Sequence, residues 1–137
     1  MDAKQVGSLQ FMIDFSLPLY EQILNQIRSS VAKGEIGLGE KLPSVREMAH
    51  SLKVNPNTVM RAYQELERDG LTEKRRGQGT FITHDKDKVA EFRDDLAKEY
   101  ILNFINSMEN LGFSLTDIQS YLKIIVREGH PHDRNNH

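Results

Sequence analysis

Cysteine is absent from the 137 residues, which excludes a disulfide framework and a Cys-based zinc finger. No apolar run approaches the roughly 20 residues that a membrane span requires. The opening stretch, MDAKQVGSLQ, has no apolar h-region and does not read as a signal peptide. A Gly-rich phosphate loop, a nucleophile elbow and a Cys/His pair are all missing, which argues against an enzyme and against a bound cofactor. Gly77-Gln78-Gly79 is only G-x-G, and it falls within a hairpin rather than between a strand and a helix. The expectation is a chain that stays in the cytoplasm, makes no membrane contact and holds no metal. His130, His132, Asp133 and His137 could chelate a metal, but they sit in a polar tail that reads as a flexible end.

Positive charge is also in short supply. The net charge is −2, yet it is unevenly spread. Residues 1–83 carry 11 Lys/Arg against 10 Asp/Glu, and residues 84–137 carry 7 against 10. Within the first part the cations Arg46, Lys53, Arg61, Lys74, Arg75 and Arg76 cluster locally. A modest basic face on an acidic body can bind nucleic acid, with an affinity that falls steeply with salt.

Residues 42–82 hold the densest information. Ser44 and Glu47 form an S-x-x-E capping box just after Pro43. Asn55 is a good N-cap, and Pro56 occupies the first helical position, where a missing N–H costs nothing. These signals predict a helix over about Val45–Leu52 and a second over about Pro56–Asp69, with Val59, Ala62, Tyr63 and Leu66 inward. Gly70 ends the second helix. Two short strands follow, near Leu71–Lys74 and Thr80–Thr83, joined by a basic Arg/Gly tip. A helix from about Pro18 to Lys33 precedes them, its apolar residues Leu19, Tyr20, Ile23, Leu24, Ile27 and Val31 at helical spacing.

The fold class expected is mainly α with a small β-hairpin: an N-terminal winged helix-turn-helix and a C-terminal two-helix extension for dimerisation. The winged unit is placed at residues 12–83 and the helical hairpin at residues 84–128. Residues 1–11 and 129–137 are read as flexible ends. The hairpin's long helix puts Phe92, Leu96, Tyr100, Ile101, Phe104, Ile105 and Met108 on one broad stripe, and the last helix adds Ile118 and Leu122. That is more apolar surface than two helices can cover alone, so part of it is assigned to a second copy of the chain.

The second helix of a helix-turn-helix enters the major groove by its N-terminal end. Asn55, Asn57 and Thr58 occupy that end, and Arg61 lies one turn further on. Two of them also have a plainer reading: Asn55 as a cap only, and Thr58 as a partner of local backbone. Arg46 is placed to meet phosphate, or else to pair with Glu47 or Glu40. Arg75, Arg76, Gly77 and Gln78 form the hairpin tip, either a DNA-contacting wing or a solvated turn. The function expected is sequence-specific binding to duplex DNA. A protein-interaction adaptor built on the same fold is the rival reading, and it has no use for the basic tip.

LPSVREMAHSLKVNPNTVMRAYQELERDGLTEKRRGQGTFI resembles the GntR family of bacterial winged-helix transcription regulators, with LPSVRE, VNPNTVMRAYQELERDG and RRGQGTFI in order and at matching spacing. The YtrA-type subgroup is the nearer likeness, because its members carry only a short two-helix C-terminal extension and 54 residues follow Thr83 here. The resemblance implies DNA contacts at Arg46, Asn55, Asn57, Thr58, Arg61, Arg76 and Gly77. Family members often carry a basic residue where this chain has Pro56, so that contact is lost or taken over by Arg61. The resemblance further implies a homodimeric repressor bound to an inverted-repeat operator, often governing its own operon together with ABC-type transporter genes. It names no effector.

Overall fold

The computed structural model describes residues 2–129. It divides after Asp94 into two compact units. The first opens with two antiparallel strands, β1 (Asp2–Val6) and β2 (Leu9–Ile13), followed by α1 (Leu19–Lys33), α2 (Val45–Leu52), α3 (Pro56–Arg68), β3 (Thr72–Arg75) and β4 (Gly79–Ile82). The long helix α4 (Lys86–Asn110) starts in this unit and continues into the second, which α5 (Leu115–Glu128) completes.

The N-terminal strands correct the expected flexible arm. Val6 and Leu9 pair across a two-residue Gly7-Ser8 turn, and Gly7 takes the positive φ of 61° that such a turn requires. Leu9, Phe11 and Ile13 alternate into the core and are buried. The outer edge of β2 is occupied by side chains of α1. The Met12 N–H donates to Gln26 Oε1 at 2.7 Å, and Gln26 Nε2 returns a bond to the Met12 carbonyl at 2.7 Å. Gln22 does the same one turn earlier for the N–H and C=O of Asp14, at 2.8 and 2.9 Å. Two glutamines four residues apart on a helix thus satisfy a strand edge that would otherwise be open.

The helices form for the reasons legible in their ends. In α2 the Glu47 N–H donates to Ser44 Oγ at 3.1 Å, and the Ser44 N–H donates to Glu47 Oε1 at 3.2 Å. Lys53, at a positive φ of 58°, closes α2 and turns the chain toward α3. The Tyr63 hydroxyl donates to the Pro43 carbonyl at 2.6 Å, tying α3 to the start of α2. Burial holds the Tyr63 phenol well above its ordinary pKa, with a smaller contribution from the Glu47 carboxylate. Ile23, Ile27, Met48, Leu52, Val59 and Leu66 meet in one core with the N-terminal strands.

The wing has more backing than a bare hairpin. Lys41 bridges to Phe81, the Leu42 N–H donates to the Thr80 carbonyl at 2.9 Å, and the Ile82 N–H donates to the Glu40 carbonyl at 2.8 Å. The Gly-punctuated connector before α2 thereby lies along β4 as a third, irregular strand, and buries Ile36 and Leu42.

The expected boundary after Thr83 moves because α4 begins as part of the first unit. Val89 and Phe92 pack against its core, and the Arg28 guanidinium lies 5.9 Å from the Phe92 ring centroid. Phe92, assigned from sequence to the dimer surface, is thus partly covered by the core of its own unit. In the second unit, Ser114 and Asp117 form a capping box at the start of α5, and Phe113 meets Tyr121 edge to face at 5.4 Å. Ile118 is likewise buried within the chain. Tyr100, Ile101, Phe104 and Leu122 are exposed, while Leu96, Ile105 and Met108 are partly covered. Leu102, Leu111, Leu115, Ile124 and Val126 add to the exposed apolar surface. Residues 130–137, with the three histidines and Asp133 of the tail, lie outside the described residues.

Candidate nucleic-acid interface

Helix α3 buries one side and exposes the other. Val59, Ala62, Tyr63 and Leu66 are buried, and at 3.6 residues per turn the opposite side carries Asn57, Arg61 and Gln64, all exposed. Thr58 sits on the flank, half-buried. Gln64 was not singled out from sequence, although it lies seven residues after Asn57 on the same helical face.

Asn55 does act as the N-cap: its Oδ1 accepts the Asn57 N–H at 2.8 Å. Capping uses only the carbonyl oxygen of the amide, and the Nδ2 donors have no partner among the described residues. The plainer reading of Asn55 and the functional one are therefore compatible. Arg61 is less free than its position suggested. Its guanidinium stacks 4.1 Å from the centroid of the Tyr20 ring, held toward the start of α1. Stacking fixes the plane of the guanidinium while leaving its edge N–H groups available.

Arg46 is exposed at the second position of α2 and pairs with no carboxylate among the described residues. Both proposed partners are engaged elsewhere. Glu47 completes the capping box, and Glu40 accepts the Ser8 hydroxyl and the Gly37 N–H. Those two bonds, the hydroxyl foremost, hold the Glu40 carboxyl below its ordinary range.

The wing separates its two arginines. Arg75 lies back along the hairpin, 4.1 Å over the Phe81 ring, 3.9 Å from the Glu73 carboxylate and 3.2 Å from His84 Nδ1. Arg76 is exposed at the tip with Gly77 and Gln78 and has no ion-pair partner among the described residues. Gly77 takes a positive φ of 76° in the turn, which the Gln78 N–H closes on the Arg75 carbonyl at 2.9 Å. A cation overlooked in the sequence stands beside it. Lys41 crosses the wing so closely that a Cβ on Gly79 would lie 2.9 Å from its Cε. Lys41, Arg76, Gln78 and the start of α2 at Ser44 line one groove.

Several other cations of the unit are neutralised by carboxylates. Arg28 pairs with Asp69 at 2.8 Å, Arg68 with Glu65 at 2.6 Å and Lys74 with Glu67 at 3.6 Å. Lys41, Arg46 and Arg76 have no carboxylate partner among the described residues, and Lys41 and Arg76 line the groove beside the wing. An overall charge of −2 conceals this arrangement. No group of three metal-ligating side chains occurs among the described residues, and no described helix is long and apolar enough to cross a membrane.

A capped two-helix unit with a polar outer face on its second helix, flanked by a basic hairpin, is a winged helix-turn-helix of the kind found in DNA-binding transcription regulators. The model of the GntR family of bacterial regulatory proteins matches residues 19–82. The HTH-type transcriptional regulator YhcF of Bacillus subtilis is 44% identical over 114 residues, spanning 83% of this chain and 94% of that protein. The HTH-type transcriptional repressor YtrA of the same organism is 40% identical over 111 residues, 80% of this chain and 85% of the relative. The structure of a GntR family transcriptional regulator from Listeria monocytogenes superposes with a TM-score of 0.71 at 40% identity, covering 81% of this chain and 97% of that one. The chain belongs to the GntR family. It is a DNA-binding regulatory protein rather than an enzyme, as the motifs of residues 42–82 led one to expect.

Proposed function

We propose that the protein is a homodimeric repressor that binds an inverted-repeat operator in the cytoplasm. The observation that carries this reading is the exposed row Asn57, Arg61 and Gln64 on α3, flanked by the unpaired cations Arg46 and Arg76. In this reading α3 lies in the major groove, with Asn55, Asn57 and Thr58 at its leading end. Arg46 meets phosphate beside α2, and Arg76, Gly77 and Gln78 follow the backbone or the adjacent groove.

The dimer reading rests on the second unit. Tyr100, Ile101, Phe104 and Leu122 are among its exposed apolar side chains, and that much apolar surface is unfavourable in water unless a partner covers it. A two-fold axis through such an interface presents two copies of α3 to one side of the duplex, and the operator then takes the same symmetry. Repression is supported by the likeness to YtrA, a transcriptional repressor. Control of an operon that encodes an ABC-type transporter is the finer part of the proposal and rests on the YtrA-type resemblance alone.

Sedimentation of the full chain, free and with duplexes captured from its own genome, tests the assembly. A dimer at micromolar concentration, two chains per duplex, and a monomeric truncation after Asp94 with much weaker binding are expected. A monomeric full chain, or a truncation that binds as tightly, overturns the dimer. A reporter driven by the captured promoter tests the sign: expression falls when the protein is supplied, and a rise contradicts repression.

A further inference from the structure

Met60 is the one large apolar side chain of α3 left in solvent; Val59, Ala62, Tyr63 and Leu66 are buried. It is 44% exposed. It lies three residues after Asn57 and four before Gln64, so it shares their outward side of the helix, one turn in from the N-terminal tip. Single apolar residues on a surface are ordinary and call for no explanation by themselves. This one stands within the row assigned to the major groove, where its neighbours are an amide, a guanidinium and a second amide. A thioether there forms no strong hydrogen bond with a base edge and has no charge for a phosphate.

The major groove offers an apolar side chain one distinct partner. Thymine carries a C5-methyl group, whereas the other bases present donors and acceptors. Methionine is unbranched and polarisable, so it can settle against such a methyl without demanding one geometry. We propose that Met60 reads a thymine methyl in each operator half-site, making it a specificity-determining residue beside the amides of α3. This inference rests on α3 being the major-groove helix.

The test uses the full chain and a duplex it selects from a random pool. Each thymine is replaced in turn by uracil, which removes only the methyl. At one thymine per half-site, uracil is expected to weaken the unmodified protein about fourfold, the worth of one methyl withdrawn from water. Met60→Ala should bind the thymine and uracil duplexes equally, because the methyl then has no partner. Met60→Leu should keep the preference, and both substitutions suit an exposed helical position, so folding is not at stake. A selected half-site without thymine, indifference of the unmodified protein to uracil at every position, or the same loss in Met60→Ala overturns the assignment. Failure to select any sequence overturns the major-groove reading of α3 as well, and is told apart by equal affinity for all duplexes.

Discussion

Replacing Arg76 and Arg75 separately by alanine distinguishes a DNA contact from a structural arginine one residue away. Arg76 stands at the wing tip without an ion-pair partner among the described residues, whereas Arg75 is stacked on Phe81 and lies beside Glu73 and His84. Each phosphate neutralised on B-DNA contributes about 0.9 to the slope of log affinity against log salt. Loss of Arg76 from both halves of a dimer should therefore flatten that slope by about 1.8. Between about 50 and about 200 mM salt, the advantage of the unmodified protein over Arg76→Ala should shrink by about twelvefold. Arg75→Ala gives up a stacked cation, roughly 0.5–1 kcal/mol at a partly exposed site, and should appear as lower thermal stability with the salt slope retained. Fluorescence anisotropy titrations of a labelled duplex across that salt range, with melting curves of each variant, measure both. An unchanged slope in Arg76→Ala, or equal flattening in Arg75→Ala without loss of stability, would refute the division of labour within the wing.

Asn57→Ala should reduce the preference for operator over random duplex by about 1–3 kcal/mol with no change in melting temperature, because its side chain is exposed; a uniform loss on every sequence would assign it to backbone contact. Asn55→Ala should also lower stability by about 1 kcal/mol, since its Oδ1 caps α3, and Asn55→Ser should restore stability in urea titrations. Ile13→Ala should cost about 2–5 kcal/mol of unfolding free energy, as expected for a buried aliphatic side chain; a negligible cost would mean the N-terminal strands are not part of the fold. The Glu40 carboxyl is held below its ordinary range, so the stability it contributes is present above that range and is lost as pH falls through the lowered folded-state value. Glu40→Gln should remove that part of the acid-side decline in melting temperature, and identical acid limbs in the two proteins would count against the Ser8 and Gly37 bonds.

Element ends were the most legible part of the sequence because they are set by local chemistry. Ser44, Glu47, Asn55, Pro56 and Gly34 each act within a few residues of themselves, and α1 ends and α2 and α3 begin where they place them. The N-terminal strands carried a readable signal that was passed over: Leu9, Phe11 and Ile13 alternate, and Gly7-Ser8 is a two-residue hairpin turn. The glutamines that bind the β2 edge gave none, since a helical Gln22 or Gln26 looks like any solvated residue until the strand lies against it. Ile36 and Leu42 sit in a connector without periodicity, so their burial follows from tertiary packing rather than from a local pattern. The apolar stripe of α4 was visible as a stripe, but periodicity does not say what covers each part, and Phe92 packs partly against the core of its own unit. Within the candidate interface, the polar face of α3 followed from helical geometry. The stacking of Arg61 on Tyr20 and of Arg75 on Phe81 joins residues that only the tertiary structure brings together.

The central claim is that the outer face of α3 and the wing read a DNA sequence, and competition binding tests it most directly. A labelled duplex selected from the protein's own genome is displaced, at about 150 mM salt, either by itself unlabelled or by a scrambled duplex of the same length and composition. The account predicts that the selected duplex competes at least about a thousandfold better, as befits specific over non-specific binding, and that Asn57→Ala narrows the gap. Equal competition by the two duplexes would contradict it.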